Sequence, residues 1–249
     1  MQFRRLGCAP QGGVLHLEVA GKSAQFYYFT KAEGEGLNSL GGERHLLEPF
    51  LQSLRPGDCV YDVGAGIGLY TLFAAKTVGK EGFVVAVEPE EYCHERLQEN
   101  LRLNGLTNVR TFRLALGDRH RVVHMVPPDR KTFSLVGVSP RKRWLAQRIE
   151  VVPGDWLIES KCLPIPTAVK IDVEGYEYAV IEGLSRTLAQ KACKLASCEV
   201  HPRLLPAEVM PERVLDQLKA LGFTNLKVCQ HPNYLHVQAQ KATNQRDHS

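Results

Sequence analysis

Val60-Tyr61-Asp62-Val63-Gly64-Ala65-Gly66-Ile67-Gly68-Leu69-Tyr70-Thr71 is the stretch whose reading decides the fold. It reads as a short apolar strand, a glycine-rich turn and the start of a helix. Gly64, Gly66 and Gly68 permit positive φ and clear side chains from where a ligand must approach. The helix beginning near Leu69 aims its free N–H groups into the turn. A dinucleotide-binding turn has the same outline, so the glycines alone do not choose a ligand. Asp62, inside the strand, does. An anion there repels a pyrophosphate and suits a cationic ligand carrying an amino group. The expectation is S-adenosylmethionine, held by Asp62, Gly64, Ala65, Gly66, Gly68, Tyr70 and Thr71. Glu43, at the head of the preceding helix, is placed with them.

Outward from this stretch, Leu69 to Val78 is a helix closed by Gly79, and Phe83 to Val87 is an apolar parallel strand. Glu90 to Asn104 is helical, and Val109 to Leu114 is a third strand. Upstream, residues 13–30 alternate as a β-hairpin. A glycine-spaced loop from Gly34 to Gly42 follows, then a helix from Glu43 to Leu54 despite Pro49. Downstream, Thr167 to Val173 and Lys194 to Val200 are strands with a helix, Glu177 to Gln190, between them. A helix runs from Pro211 to about Leu221. Phe223 to Gln230 and Tyr234 to Gln238 form a closing hairpin. This outline predicts an α/β, Rossmann-like sheet of seven strands, mostly parallel with an antiparallel terminal hairpin, as in class I methyltransferases.

Residues 1–42 read as an extension (hairpin and loop), 43–240 as the main domain and 241–249 as a disordered tail. Only 119–160 breaks the rhythm, with short strands over Val122 to Val126 and Ile149 to Val152. Between them Arg130-Lys131 and Arg141-Lys142-Arg143 flank Phe133-Ser134-Leu135. The expectation is an insertion over the active edge of the sheet.

Of 249 residues, 44% are hydrophobic and 23% charged, an ordinary balance for a globular chain. The net charge of +4 permits acidic partners without requiring nucleic acid. The 7 cysteines are scattered, with no C-x-x-C pair, which argues against a zinc site or disulfide framework. No signal-like segment and no apolar run of membrane-spanning length is present, so a cytoplasmic, soluble protein in a reducing compartment is expected.

In an open α/β sheet, ligands meet the carboxyl ends of the strands. The second strand leaves Glu88 about 20 residues past Gly68, where an acid accepts from ribose hydroxyls. The third leaves Ala115-Leu116-Gly117-Asp118. Leu116 or Ala115 suits packing on an adenine ring, and Asp118 suits its amino group or equally a turn after Gly117. The fourth leaves Asp172, Glu174 and Glu177 within six residues. Asp172 and Glu174 read as functional: they could hold the cofactor's amino group, orient a hydroxyl, act as a base or bind a divalent cation. Glu177 reads equally as a helix N-terminal acid. The fifth leaves Glu199 and His201, a candidate general base. Catalytic candidates are therefore Asp172, Glu174 and His201, with Asp172 also facing the cofactor. No metal ligand is assigned.

Asp62-Val63-Gly64-Ala65-Gly66, Ala115-Leu116-Gly117-Asp118, Lys170-Ile171-Asp172-Val173-Glu174-Gly175-Tyr176-Glu177 and Glu199-Val200-His201-Pro202 together resemble the FkbM-type methyltransferase family over about residues 43–240. The Lys170-to-Glu177 run is the most specific piece. Where the family usually has Asn after Gly-Ala, this chain has Gly66. The resemblance implies S-adenosylmethionine-dependent O-methylation, often of a sugar or polyketide hydroxyl, so a small-molecule or sugar acceptor is the expected partner. Rival readings are an RNA methyltransferase using the basic insertion and Tyr70 or Trp144 for stacking, a dehydrogenase, and a non-catalytic cofactor-binding protein. Acceptor identity and oligomeric state are not read from the sequence.

Overall fold

A computed structural model describes residues 12–125 and 147–242. The antiparallel pair β1 (Gly13–Val19) and β2 (Lys22–Tyr28) turns through Ala20 and Gly21, both at positive φ, as a tight hairpin requires. Residues 31–42 depart from the expected loop: α1 (Lys31–Asn38) is a helix, followed by a short 3-10 turn, Leu40–Gly42. Its start is fixed by Thr30, whose hydroxyl accepts from the Glu33 N–H, and by Glu33, whose carboxylate accepts from the Phe29 N–H. Gly34 is glycine for packing, because a Cβ there would sit 3.1 Å from the Tyr28 ring. Leu37 is fully buried and anchors the helix.

Next come α2 (Arg44–Gln52), β3 (Cys59–Val63), α3 (Leu69–Val78), β4 (Phe83–Val87), α4 (Glu91–Leu103) and β5 (Val109–Phe112). After these, β6 (Ala115–Gly117), β7 (Arg121–Met125) and β8 (Gln147–Pro153) make a second, three-stranded sheet in the order β6-β8-β7. The chain continues through α5 (Gly154–Ser160), β9 (Ala168–Ile171), α6 (Glu177–Gly183), α7 (Ser185–Ala189), β10 (Leu195–Val200), α8 (Pro211–Ala220), β11 (Phe223–Gln230) and β12 (Leu235–Lys241).

The main sheet has the order β11-β12-β10-β9-β3-β4-β5. Its five strands from β10 to β5 are parallel; β12 runs antiparallel to β10, and β11 runs antiparallel to β12 and so in the direction of the other five. The expected seven-stranded α/β sheet is therefore present. Strand order reverses between β3 and β9, which opens a crevice at their carboxyl ends. Alternation along the strands divides the core. Val60, Val84 and Ala86 face α3, α4 and the N-terminal hairpin, while Tyr61, Val63, Val85 and Val87 face the α5–α8 side.

Two further departures have packing causes. The helix expected over 177–190 breaks at Leu184 into α6 and α7. At Gly183 a Cβ would lie 1.8 Å from the Gly117 carbonyl oxygen, so the backbone of β6 crosses where a side chain would stand. The supposed insertion is regular at both ends, as β7 and β8–α5, because β8 pairs with β6 on one side and β7 on the other. Its basic centre, Val126 to Trp144, and the tail from 243 lie outside the described residues. All cysteines among the described residues are free, and no helix there is long and apolar enough to cross a membrane.

Candidate functional site

The glycine turn is shaped first by the protein itself. Gly64 sits at φ 82°, and a Cβ on it would fall 1.8 Å from the Asp172 carbonyl oxygen. Gly68, at φ 99°, would press a Cβ onto Leu97 and Leu72 at 2.6 and 2.7 Å. These two positions thus need glycine because the end of β9 and the side chains of α3 and α4 already occupy the space a Cβ would take. Gly64 and Ala65 donate to the Val87 carbonyl, so the turn is tied to the end of β4. Glu88 accepts from the Gly66 N–H at 2.7 Å and from the Glu90 N–H at 2.8 Å. Burial pushes its carboxyl up to about 7 against those two donors.

Asp62 lies inside β3 and is held by neighbours within the protein. It is 1% exposed, and its Oδ2 accepts from the Thr71 hydroxyl at 2.5 Å. Its Oδ1 has no hydrogen-bond partner and lies 3.8 Å from Lys170 Nζ. Lys170 is the hub that sequence reasoning missed. Its ammonium donates to Asp172 Oδ2 and to the Gly64 carbonyl, both at 3.2 Å, and sits 4.8 Å from the centre of the Tyr70 ring. Burial opposes its charge, but Asp172, Asp62, Glu199 and Glu43 more than offset that and raise its pKa. The signal was present: a lysine inside the apolar strand Ala168-Val169-Lys170-Ile171 calls for buried counter-charges.

Four carboxylates around one ammonium leave the cluster short of positive charge. Burial, with repulsion from Asp172 and Asp62, pushes Glu43 up to about 7. Burial and the Asp172 and Glu43 charges push Glu199 up to about 8, and its Oε1 has no partner. Glu43 also hydrogen-bonds Tyr70, which is 4% exposed and packs its ring on Phe50. A ring so buried cannot stack on a nucleic-acid base.

The ends of β9 and β10 carry the reactive groups. His201 Nδ1 lies 2.8 Å from Glu177 Oε1, and its Nε2 lies 4.0 Å from Asp172 Oδ1. Glu177 is fully buried and also accepts from the Gly175 N–H. It therefore orients the imidazole and is more than a helix N-terminal acid. Burial works against the imidazolium, but Glu177, then Asp172 and Glu199, more than offset it and raise the His201 pKa. Glu174 holds the left-handed conformation at φ 51°, uncommon for a residue with a side chain. Burial and the Asp172 charge push its carboxyl up to about 7. Asp172, Glu199 and His201 each offer a ligand atom, and these lie within 4.8 Å of one another, so a divalent cation has a possible seat here.

The fold thus brings together Glu43, Asp62, Tyr70, Thr71, Asp172, Glu174 and His201, with Gly66 and Glu88 alongside. Leu116 is buried in β6, and Asp118 follows it, ion-paired to Arg121 at 3.0 Å. Lys170, Glu177 and Glu199 join from outside the predicted set.

Residues 62–224 match the family model described as the methyltransferase FkbM domain. Over 193 residues the chain is 28% identical to the hexuronic acid methyltransferase AglP of Haloferax volcanii, covering 77% of this chain and 76% of that one. A solved structure from Clostridium thermocellum, provisionally described as an rRNA methylase, superposes with a TM-score of 0.51 at 15% identity, over 82% of this chain and 96% of that one. The precorrin-6y C5,15-methyltransferase of Geobacter metallireducens gives 0.50 at 14% identity, over 80% and 89%. Both structures share the fold.

Proposed function

The chain belongs to the FkbM methyltransferase family, and from that premise we propose that it transfers a methyl group from S-adenosylmethionine to a hydroxyl oxygen of a sugar. The observation that carries this reading is the Glu177–His201 pair at 2.8 Å, standing across the crevice from the glycine turn. Bound S-adenosylmethionine supplies a sulfonium methyl group as electrophile. The residues fit such a cation: Lys170 faces four carboxylates, and Asp62 Oδ1 is buried without a hydrogen-bond donor among the described residues. In this reading Glu43, Asp62 and Asp172 face its amino group and Glu88 its ribose. Leu116 and Asp118 face its adenine. Ala65 and Gly66 line the turn, Gly64 and Gly68 shape it, and Tyr70 and Thr71 hold Glu43 and Asp62 in place.

The protein's remaining task is to align the acceptor and remove its proton. As the acceptor oxygen becomes nucleophilic, its proton passes to Nε2 of His201, and Glu177 at Nδ1 stabilises the resulting imidazolium. Asp172 and Glu174 orient the acceptor hydroxyl. The sugar class is supported by the similarity to AglP, a hexuronic acid methyltransferase.

The test is methyl transfer to a panel of hexuronides, neutral hexosides and ribosomal RNA, with and without EDTA. Transfer to a sugar hydroxyl that survives chelation is the expected result. Transfer to RNA alone would sink the acceptor assignment. Loss of activity in EDTA would move the proton step from His201 to a cation held by Asp172, Glu199 and His201.

A further inference from the structure

The family match begins at residue 62 and stops at 224, yet the transfer edge is also lined from beyond both limits. His45 comes from the head of α2, while His231 and Tyr234 come from the turn between β11 and β12. Strand pairing carries that turn to the site, because Leu235, which opens β12, lies opposite Val200, which ends β10. His201 is the next residue. The result is a continuous row of rings. His45 and His231 have centroids 5.0 Å apart, His231 stacks on Tyr234 at 4.5 Å and 17°, and Tyr234 lies 5.9 Å from His201.

Polarity reverses along this row. At the His201 end, Tyr234 faces the acids: burial first, then Glu199, Glu43 and Asp172, push its phenol up to about 12, so it stays a donor. At the other end burial, then His231, His45 and Lys227, push His236 down to about 4. His236 itself is buried and bonded to the Ser197 hydroxyl at 2.9 Å. His231 Nε2 is shielded from solvent and has no hydrogen-bond partner among the described residues. Such a group costs free energy until something pairs with it. His45 donates Nδ1–H to the Gly42 carbonyl at 3.0 Å, so its Nε2 offers a proton to an anion when the ring is the imidazolium.

We infer that His45, His231 and Tyr234 form the acceptor subsite, in which the two imidazoles receive the carboxylate of an acidic sugar and the Tyr234 hydroxyl donates to a neighbouring sugar hydroxyl. This rests on the reading that the acceptor is a sugar. The reasoning is electrostatic. Glu43, Asp172, Glu174 and Glu199 crowd the transfer point, so an acid substituent is repelled there and turns toward the imidazole end. That orientation leaves a ring hydroxyl facing His201. Since all three residues lie outside the span of the family match, the subsite distinguishes this chain's acceptor while the shared domain supplies the transfer.

The experiment compares kcat/KM for a methyl hexuronide with that for the matching neutral hexoside, in wild type, His45→Gln, His231→Ala and Tyr234→Phe. Wild type should prefer the hexuronide, and each histidine variant should cut that preference by about tenfold, the worth of one charge-assisted hydrogen bond. Tyr234→Phe should weaken both acceptors alike. Unchanged binding of S-adenosylhomocysteine confirms that each variant is folded. A preference that stays put in both histidine variants overturns the subsite. If wild type methylates neither sugar, the sugar reading fails on its own account. The subsite is then decided by NMR of the His45 and His231 imidazoles during hexuronide titration: shifts that saturate uphold it, and their absence overturns it.

Discussion

In the glycine turn and at the end of β4 the protein satisfies its own polar groups, whereas around Lys170, at the ends of β9 and β10, it leaves them in conflict. Glu88 spends both carboxylate oxygens on backbone N–H groups, and the turn glycines fill space demanded by Asp172, Leu97 and Leu72. Across the crevice, Glu43, Asp172 and Glu199 crowd one ammonium, and Glu199 Oε1 lacks any partner. The first region is shaped by packing and backbone hydrogen bonds within the protein. In the second, crowding raises the Glu43 and Glu199 carboxyls, so a cationic ligand that favours their ionised forms changes the charge of this region on binding.

The comparison is broken most directly at Lys170. Lys170→Met strips the acids of their cation and should cost about 3–5 kcal/mol of stability by denaturant unfolding, the range for breaking a buried ion pair. A loss well under about 1 kcal/mol would mean that the acids are protonated and the conflict is absent. Next in size is His201→Ala, expected to lower kcat by about 10²-fold or more while cofactor affinity is retained. An unchanged rate removes His201 from the proton step.

On the packed side, Gly68→Ala should cost about 1–3 kcal/mol through overpacking against Leu97 and Leu72 and through its positive φ. A variant of full stability but poor cofactor binding would return this glycine to a ligand-facing role. The last effect depends on pH. Glu199 is raised from 4.5 to about 8 in the folded protein. Below the lower value both folded and unfolded chains hold the proton. Between the two only the unfolded chain releases it, so this residue's contribution to stability falls as pH rises and levels off above the higher value. Glu199→Gln should therefore recover stability of about 3 kcal/mol at pH 8 relative to pH 5. Parallel stability curves for the two proteins would show that Glu199 stays ionised.

How far the molecule could be read in advance follows the same division. The strand positions, the glycine turn and the terminal hairpin were legible because apolar runs and Gly or Pro punctuation are local signals. The helix at Lys31–Asn38 was hidden by Gly34 and Gly36, although Thr30 and Glu33 carried its start signal. The break at Leu184 was not legible, since it falls where α6 packs against the backbone of Gly117, distant in sequence. In the site, Asp172, Glu174 and His201 were found from their density at strand ends. Lys170 was quoted only within a motif, and the role of Glu177 depends on His201, 24 residues further on.

By itself the sequence determined the seven-stranded sheet, the place of its crevice and the residues that its strand ends deliver there. These follow from periodicity and chain direction, which are written residue by residue. Only the tertiary structure decided which of those residues face one another. It set Asp62 on Lys170 and His201 on Glu177, and it brought His45 and Tyr234 from opposite ends of the chain to one edge. Charge pairing and desolvation depend on distance in space, and spacing along the chain does not encode that distance.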